Sequence, residues 1–199
     1  MGRPAKSFYV RRQGRSGSKA VRVSLSSIDG VLRISPEVHR DGRGEFWRSY
    51  CRQSLANEGI DFEICQSNVS FNVRRHTLRG FHYQKAPSAE QKILTVVAGA
   101  AVVVIVDNRP DSPTYGAHES FRFEVGDRTS VLVASGCATG FMTLEDDTIV
   151  HYQMGDVYRP DLYTGFRYDD PDLGVEWPAE PAVVSERDRA LGSFRSASR

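Results

Sequence analysis

Residues 77–101, TLRGFHYQKAPSAEQKILTVVAGAA, hold Arg79, His82 and Lys92 close together in the chain. Arginine is the side chain best matched to phosphate, because its planar fork donates two parallel hydrogen bonds. Histidine is the side chain that most readily takes and gives a proton near neutral pH. Lysine adds a second cation. The spacing predicts that the three sit on two neighbouring strands. A base between two cations suits proton removal from an anionic substrate. The same residues also read as polar groups on the rim of a sheet, and taken alone they leave both readings open.

Two further groups belong with them. Tyr152, in IVHYQMGDVYRP (residues 149–160), falls on a late strand and offers a phenol that can donate a proton from the far side of a cavity. His151 beside it is predicted to point to the other face of that strand, because side chains alternate. Asp188 follows Ser185-Glu-Arg, and a base needs an orienting partner such as this carboxylate. The segment reads equally as the start of a surface helix capped by Ser185. A metal site would place a second His two residues after His82, but Gln84 is there. Thr139 stands where a further His ligand would come from the opposite wall. The expectation is therefore a site with no metal.

The elements that must position these groups are strands. From Val21 onward the 199-residue chain shows short alternating or Val-rich runs: 21–25, 31–34, 60–66, 69–73, 92–98, 101–107, 119–125, 130–134 and 147–153. Residues 119–125, ESFRFEV, alternate strictly, whereas 102–106, VVVIV, are apolar on both faces as in a central strand. Turn signals at Gly99, 108–113, Gly126 and Gly136 separate them. With no alternation of strands and helices, the fold class is all-β. The specific expectation is a double-stranded β-helix (cupin-type jelly roll) with one or two short helices, one near Leu55–Gly59. It forms a single domain over residues 21–191. Residues 1–20 are basic and Gly/Ser-rich and read as a disordered tail. Residues 192–199 read as a flexible tail.

Composition excludes several classes. A formal net charge of +1 argues against a polyanion binder, so nucleic acid is not an expected partner despite the basic tail. No apolar run approaches the roughly 20 residues that cross a bilayer, and the N-terminus lacks the apolar core of a secretory leader. Cys51, Cys65 and Cys137 form no CxxC pair and read as reduced thiols of a cytoplasmic protein.

Taken in order, LRGFHYQ (78–84), QKIL (91–94), DNRPDSPTYG (107–116), Tyr152 with Tyr158, DDPDLGVEWP (169–178) and SERD (185–188) resemble the dTDP-4-dehydrorhamnose 3,5-epimerase family over about residues 28–190. The resemblance implies a cofactor-independent isomerase, normally a homodimer, that acts on a nucleoside-diphosphate-linked 4-keto-6-deoxyhexose. It makes His82 the base, Asp188 its carboxylate and Tyr152 the acid on the other face of the ring, with Lys92 near the C4 oxygen. Arg79 and Arg43 would hold the diphosphate. Gln66 and Asn68 match nucleotide-contact positions, Arg187 stands where the family has a basic residue, and Tyr158 completes the substrate-binding set.

The chain departs from the family in places. Thr139 replaces a His that lines the sugar pocket, and Arg48 replaces a Glu that helps read the nucleotide base. Ser67, Thr95 and His39 also differ from the usual residues. The base, its carboxylate, the acid and Lys92 are all retained, so an active epimerase inverting C3, C5 or both is expected. The alternatives are a keto-isomerase or dehydratase on a related nucleotide sugar, or a non-catalytic module that binds one.

Overall fold

The structure is a computed structural model that describes residues 21–197; the basic segment 1–20 lies outside the described residues. In chain order the strands and helices are β1 (Val21–Leu25), β2 (Leu32–Pro36), β3 (Val38–Asp41), β4 (Gly44–Trp47), α1 (Arg52–Asn57), β5 (Gln66–Asn72), β6 (Thr77–Gln84), β7 (Lys92–Ala98), β8 (Ala100–Asp107), β9 (His118–Glu124), β10 (Ser130–Val133), β11 (Cys137–Thr143), β12 (Thr148–Met154), β13 (Tyr163–Gly165), β14 (Val183–Val184), α2 (Glu186–Arg189) and α3 (Phe194–Ala197).

Two sheets face one another. One has the order β1-β2-β10-β7-β12-β5, and the other β13-β6-β11-β8-β9 with β14 pairing on β6. From β5 to β8 and from β9 to β12 successive strands fall on opposite sheets, which is the winding of a jelly roll. The hairpin β3–β4 forms a two-stranded ribbon of its own.

The strand patterns explain which side chains meet. In β9 Phe121 and Phe123 turn inward while Ser120, Arg122 and Glu124 face solvent. In β8 every residue is buried. Ala101, Val103 and Ile105 face the space between the sheets, joined there by Leu94, Phe141 and Val150. Val102, Val104 and Val106 face outward beneath Phe166, Leu173 and Phe194. A third cluster of Ile34, Leu55, Ile60, Phe62 and Ile93 covers part of the outer face of the first sheet, over β2, β10 and the start of β7. One end of the space between the sheets is thus filled with hydrocarbon, and the other end is left to polar side chains.

Three expectations need correction. Residues 60–65 form no strand; Ile60 and Phe62 alternate because they lie as a loop across a sheet face, with Tyr50 Oη donating to the Phe62 carbonyl at 2.9 Å. Three short α-helices are present among the described residues, where one or two were expected. The third lies in the segment read as a flexible tail. Phe194 there is only 6% exposed, packs on Tyr115 and Phe166, and donates its N–H to Asp170 at 2.7 Å. The packed region therefore runs past residue 191, because one aromatic ring fills a hole in the outer apolar layer.

Candidate active site

His82 sits on β6 and Lys92 on β7, and these strands belong to opposite sheets. The expectation of neighbouring strands is thus overturned: the loop between them crosses the barrel, so the two residues face each other over a cavity. Its volume is about 370 Å³, large enough for a small organic ligand.

Arg79 and His82 both line this cavity although they are three residues apart, a spacing that alternation would send to opposite faces. The pairing of β6 with β11 shows why. His82 pairs with Thr139 but Arg79 pairs with Phe141, so β6 spends one more residue than its partner over the same length. That bulge shifts the parity of the strand. Gly80 makes it possible: its φ is +116°, and a Cβ there would lie 2.6 Å from Gly140 Cα.

Behind His82, the chain returns through β14 to α2. Ser185 caps this helix, its Oγ accepting from the Asp188 N–H at 3.0 Å. The same turn aims the Asp188 carboxylate at the back of the site. Asp188 Oδ1 lies 2.8 Å from His82 Nε2, and Oδ2 accepts from the Gly80 N–H at 3.1 Å. Burial pushes the Asp188 carboxyl up, but the hydrogen bond and charge of His82 and the other donors outweigh it and hold it below the usual carboxylate range. With Nε2 engaged, Nδ1 is the ring nitrogen left to take a proton. The ring of Tyr163 lies 5.2 Å from that of His82.

Tyr152 enters from β12 on the opposite sheet, paired between Asn68 and Leu94 and packed against Phe141. Burial raises its pKa, so the phenol stays protonated. His151 next to it turns to the outer face and shares a 2.7 Å hydrogen bond with Ser67. Lys92 is 6% exposed, with its ammonium 2.9 Å from Glu90 Oε1.

Gln66, Asn68, Thr139, Tyr158 and Arg187 also line the cavity. Gln66 Oε1 accepts from the Tyr158 N–H at 2.8 Å. Arg187 stacks its guanidinium 4.8 Å from the centre of the Tyr163 ring. The Thr139 hydroxyl is buried with no hydrogen-bond partner among the described residues. Gln84, at the position a metal would need for histidine, is tied to Glu90 and to the Val157 carbonyl instead.

Two expected residues are elsewhere. Arg43 is at the tip of the β3–β4 ribbon, its side chain 91% exposed and paired with Asp41. Arg48 lies in a separate recess with Tyr50 and Cys51 on the outer face of the first sheet. Neither borders the cavity of its own chain: the ribbon that carries Arg43 joins neither large sheet, and Arg48 follows it onto the outer face. Two residues were missed. Glu90 carried a weak signal, an acid two residues before a buried lysine. Tyr163 carried none, since it comes from a short strand after a Pro-containing turn.

A sequence profile of the dTDP-4-dehydrorhamnose 3,5-epimerase family matches residues 26–196. The chain belongs to this family. It is 35% identical over 167 residues to the dTDP-4-dehydrorhamnose 3,5-epimerase of Methanothermobacter thermautotrophicus, covering 82% of this chain and 89% of that one. The crystal structure of dTDP-4-dehydrorhamnose 3,5-epimerase from Bacillus anthracis with TDP and PPi bound superposes with a TM-score of 0.85 at 34% identity, covering 87% of this chain and 99% of the other. ChmJ, a 3'-monoepimerase from Streptomyces bikiniensis in complex with dTDP-quinovose, gives 0.81 at 32% identity, with coverage of 87% and 88%. The family thus spans enzymes described as acting at two carbons and at one.

Proposed function

We propose that this protein inverts C3, C5 or both in a nucleoside-diphosphate-linked 4-keto-6-deoxyhexose, without a cofactor. The observation that carries the reading is the opposition of groups: the His82–Asp188 couple on one sheet and Tyr152 on the other, with Lys92 in the same cavity. His82 Nδ1 takes the proton from the carbon beside the ketone. The C–H electron pair becomes the new C=C bond, and the carbonyl pair moves onto oxygen as an enolate, which the Lys92 ammonium stabilises. Tyr152 then gives its proton to the same carbon from the opposite face, the ketone re-forms, and solvent resets both groups. Arg79 and Arg187 suit the diphosphate, and Gln66, Asn68 and Tyr158 suit the rest of the nucleotide sugar, with Thr139 beside the base.

Arg43 and Arg48 would meet substrate only across a boundary between two copies of the chain. A homodimer is supported by the outer face of the first sheet, where Val69 is 67% and Phe71 54% exposed on β5, and Val97 43% on β7, the two strands that flank β12. Free Cys51, Cys65 and Cys137 suit a reducing compartment such as the cytoplasm.

Proton NMR in D₂O tests the reaction, with dTDP-, GDP- and CDP-linked 4-keto-6-deoxyglucose and the His82→Ala variant alongside. The C3 or C5 proton signal is expected to disappear with the parent protein, and His82→Ala to slow this by about 10²-fold or more. A carbonyl that migrates along the ring would show a keto-isomerase instead. No exchange with any of the three overturns the reading for these sugars.

A further inference from the structure

We propose that Glu90 is a positioning residue for this reaction, acting through Lys92, and that it restricts the sugar to a neutral one. The inference rests on the epimerase reading. Glu90 is 5% exposed and lines the cavity, with Oε1 on the Lys92 ammonium at 2.9 Å. Its second oxygen accepts from Gln84 Nε2 at 2.9 Å. Gln84 is itself held at both ends, donating to the Val157 carbonyl at 3.1 Å and accepting from the Arg159 N–H at 2.6 Å. The carboxylate therefore cannot swing away, and neither can the cation it holds. A flexible four-carbon lysine stem becomes a fixed charge.

The other cations of the cavity are held differently. Arg79 donates to the Asn72 amide oxygen at 2.9 Å, and Arg187 lies on the Tyr163 ring. Among the described residues neither has a carboxylate within ion-pair distance. Their charge is available to a diphosphate, whereas the charge of Lys92 is already matched. A prepositioned ammonium favours an enolate oxygen that gains charge only as the proton leaves, since nothing must reorganise at that moment. A sugar that carries its own carboxylate would bring a second fixed anion up to Glu90, and like charges at that range are costly.

The test is a double-mutant cycle on the D₂O exchange rate of the full chain, with Glu90→Gln, Lys92→Met and both together, beside calorimetry with dTDP, dTDP-glucose and dTDP-glucuronate. Glu90→Gln is expected to slow exchange about 10-fold or more while dTDP binding stays within about twofold. The double variant, which removes a buried pair together and so keeps the fold, should be no slower than Lys92→Met alone. Losses that multiply, or a Glu90→Gln variant as fast as the parent, overturn the positioning role. The parent should bind dTDP-glucose about 10-fold or more tighter than dTDP-glucuronate, and Glu90→Gln should narrow that gap. Equal binding of the two by the parent overturns the charge filter. A parent that binds dTDP but exchanges no sugar proton overturns the epimerase reading, and this inference with it.

Discussion

In the proposed reaction Tyr152 and His82 divide the proton transfers between two sheets, and single atoms can separate their roles. Tyr152→Phe removes only the phenol oxygen, leaving the ring on Phe141 and the strand pairing in place. With His82 still able to take the proton and return one, solvent deuterium should enter the substrate while inversion falls about 10²–10⁴-fold. Proton NMR of substrate and product read together checks this. If exchange and inversion fall in parallel, Tyr152 is not the acid on the far face. The carboxylate of Asp188 fits the same division, since it grips the nitrogen that is not used and so fixes which one is.

At the scale of the element, the loop after β8 is held by one buried anion. Asp107 ends the strand, and its carboxylate accepts from the Arg109 guanidinium at 2.8 Å and from the hydroxyls of Ser112 and Thr114. Burial opposes its ionisation, but the Arg109, Ser112 and Thr114 hydrogen bonds win and bring its pKa down to about 2. Because the folded state lowers the pKa from its ordinary value of 3.8, the stabilisation is fully present above that value and is lost as pH falls from about 4 towards 2. The shift corresponds to about 2 kcal/mol. Urea unfolding at pH 7 and at pH 3 should show about half of that loss in the parent, and Asp107→Asn should make the difference smaller by about that amount. An unchanged acid slope in the variant would assign the acid sensitivity to other carboxylates.

On the scale of the whole molecule, the apolar outer face of the first sheet and the exposed Arg43 ribbon point the same way, to a second copy. Sedimentation is expected to give a mass near twice 22.2 kDa. Phe71→Asp, which places a charge on the apolar stripe at a residue that does not line the cavity, should shift the protein towards monomer. A monomeric parent would remove this route by which Arg43 and Arg48 could reach a substrate.

Much of the architecture was legible in the sequence because burial is local and periodic. The alternation in β9, the all-apolar β8 and the Ser185 cap each report their surroundings within a few residues. The candidates for proton transfer were legible for a similar reason: few side chain types can serve as base, acid or phosphate fork, and here they stand in a recognisable order. The sequence could not say that β6 and β7 lie in opposite sheets, since pairing is settled by long-range packing. Nor could it show the extra residue at Gly80 that turns Arg79 and His82 to one side, because a bulge exists only relative to a partner strand. The partnership of Glu90 with Lys92, the placement of Tyr163 against His82 and the burial of Phe194 were likewise decided by tertiary structure alone. Each depends on what stands across a cavity or under a loop, and the chain brings those surfaces together only when it closes.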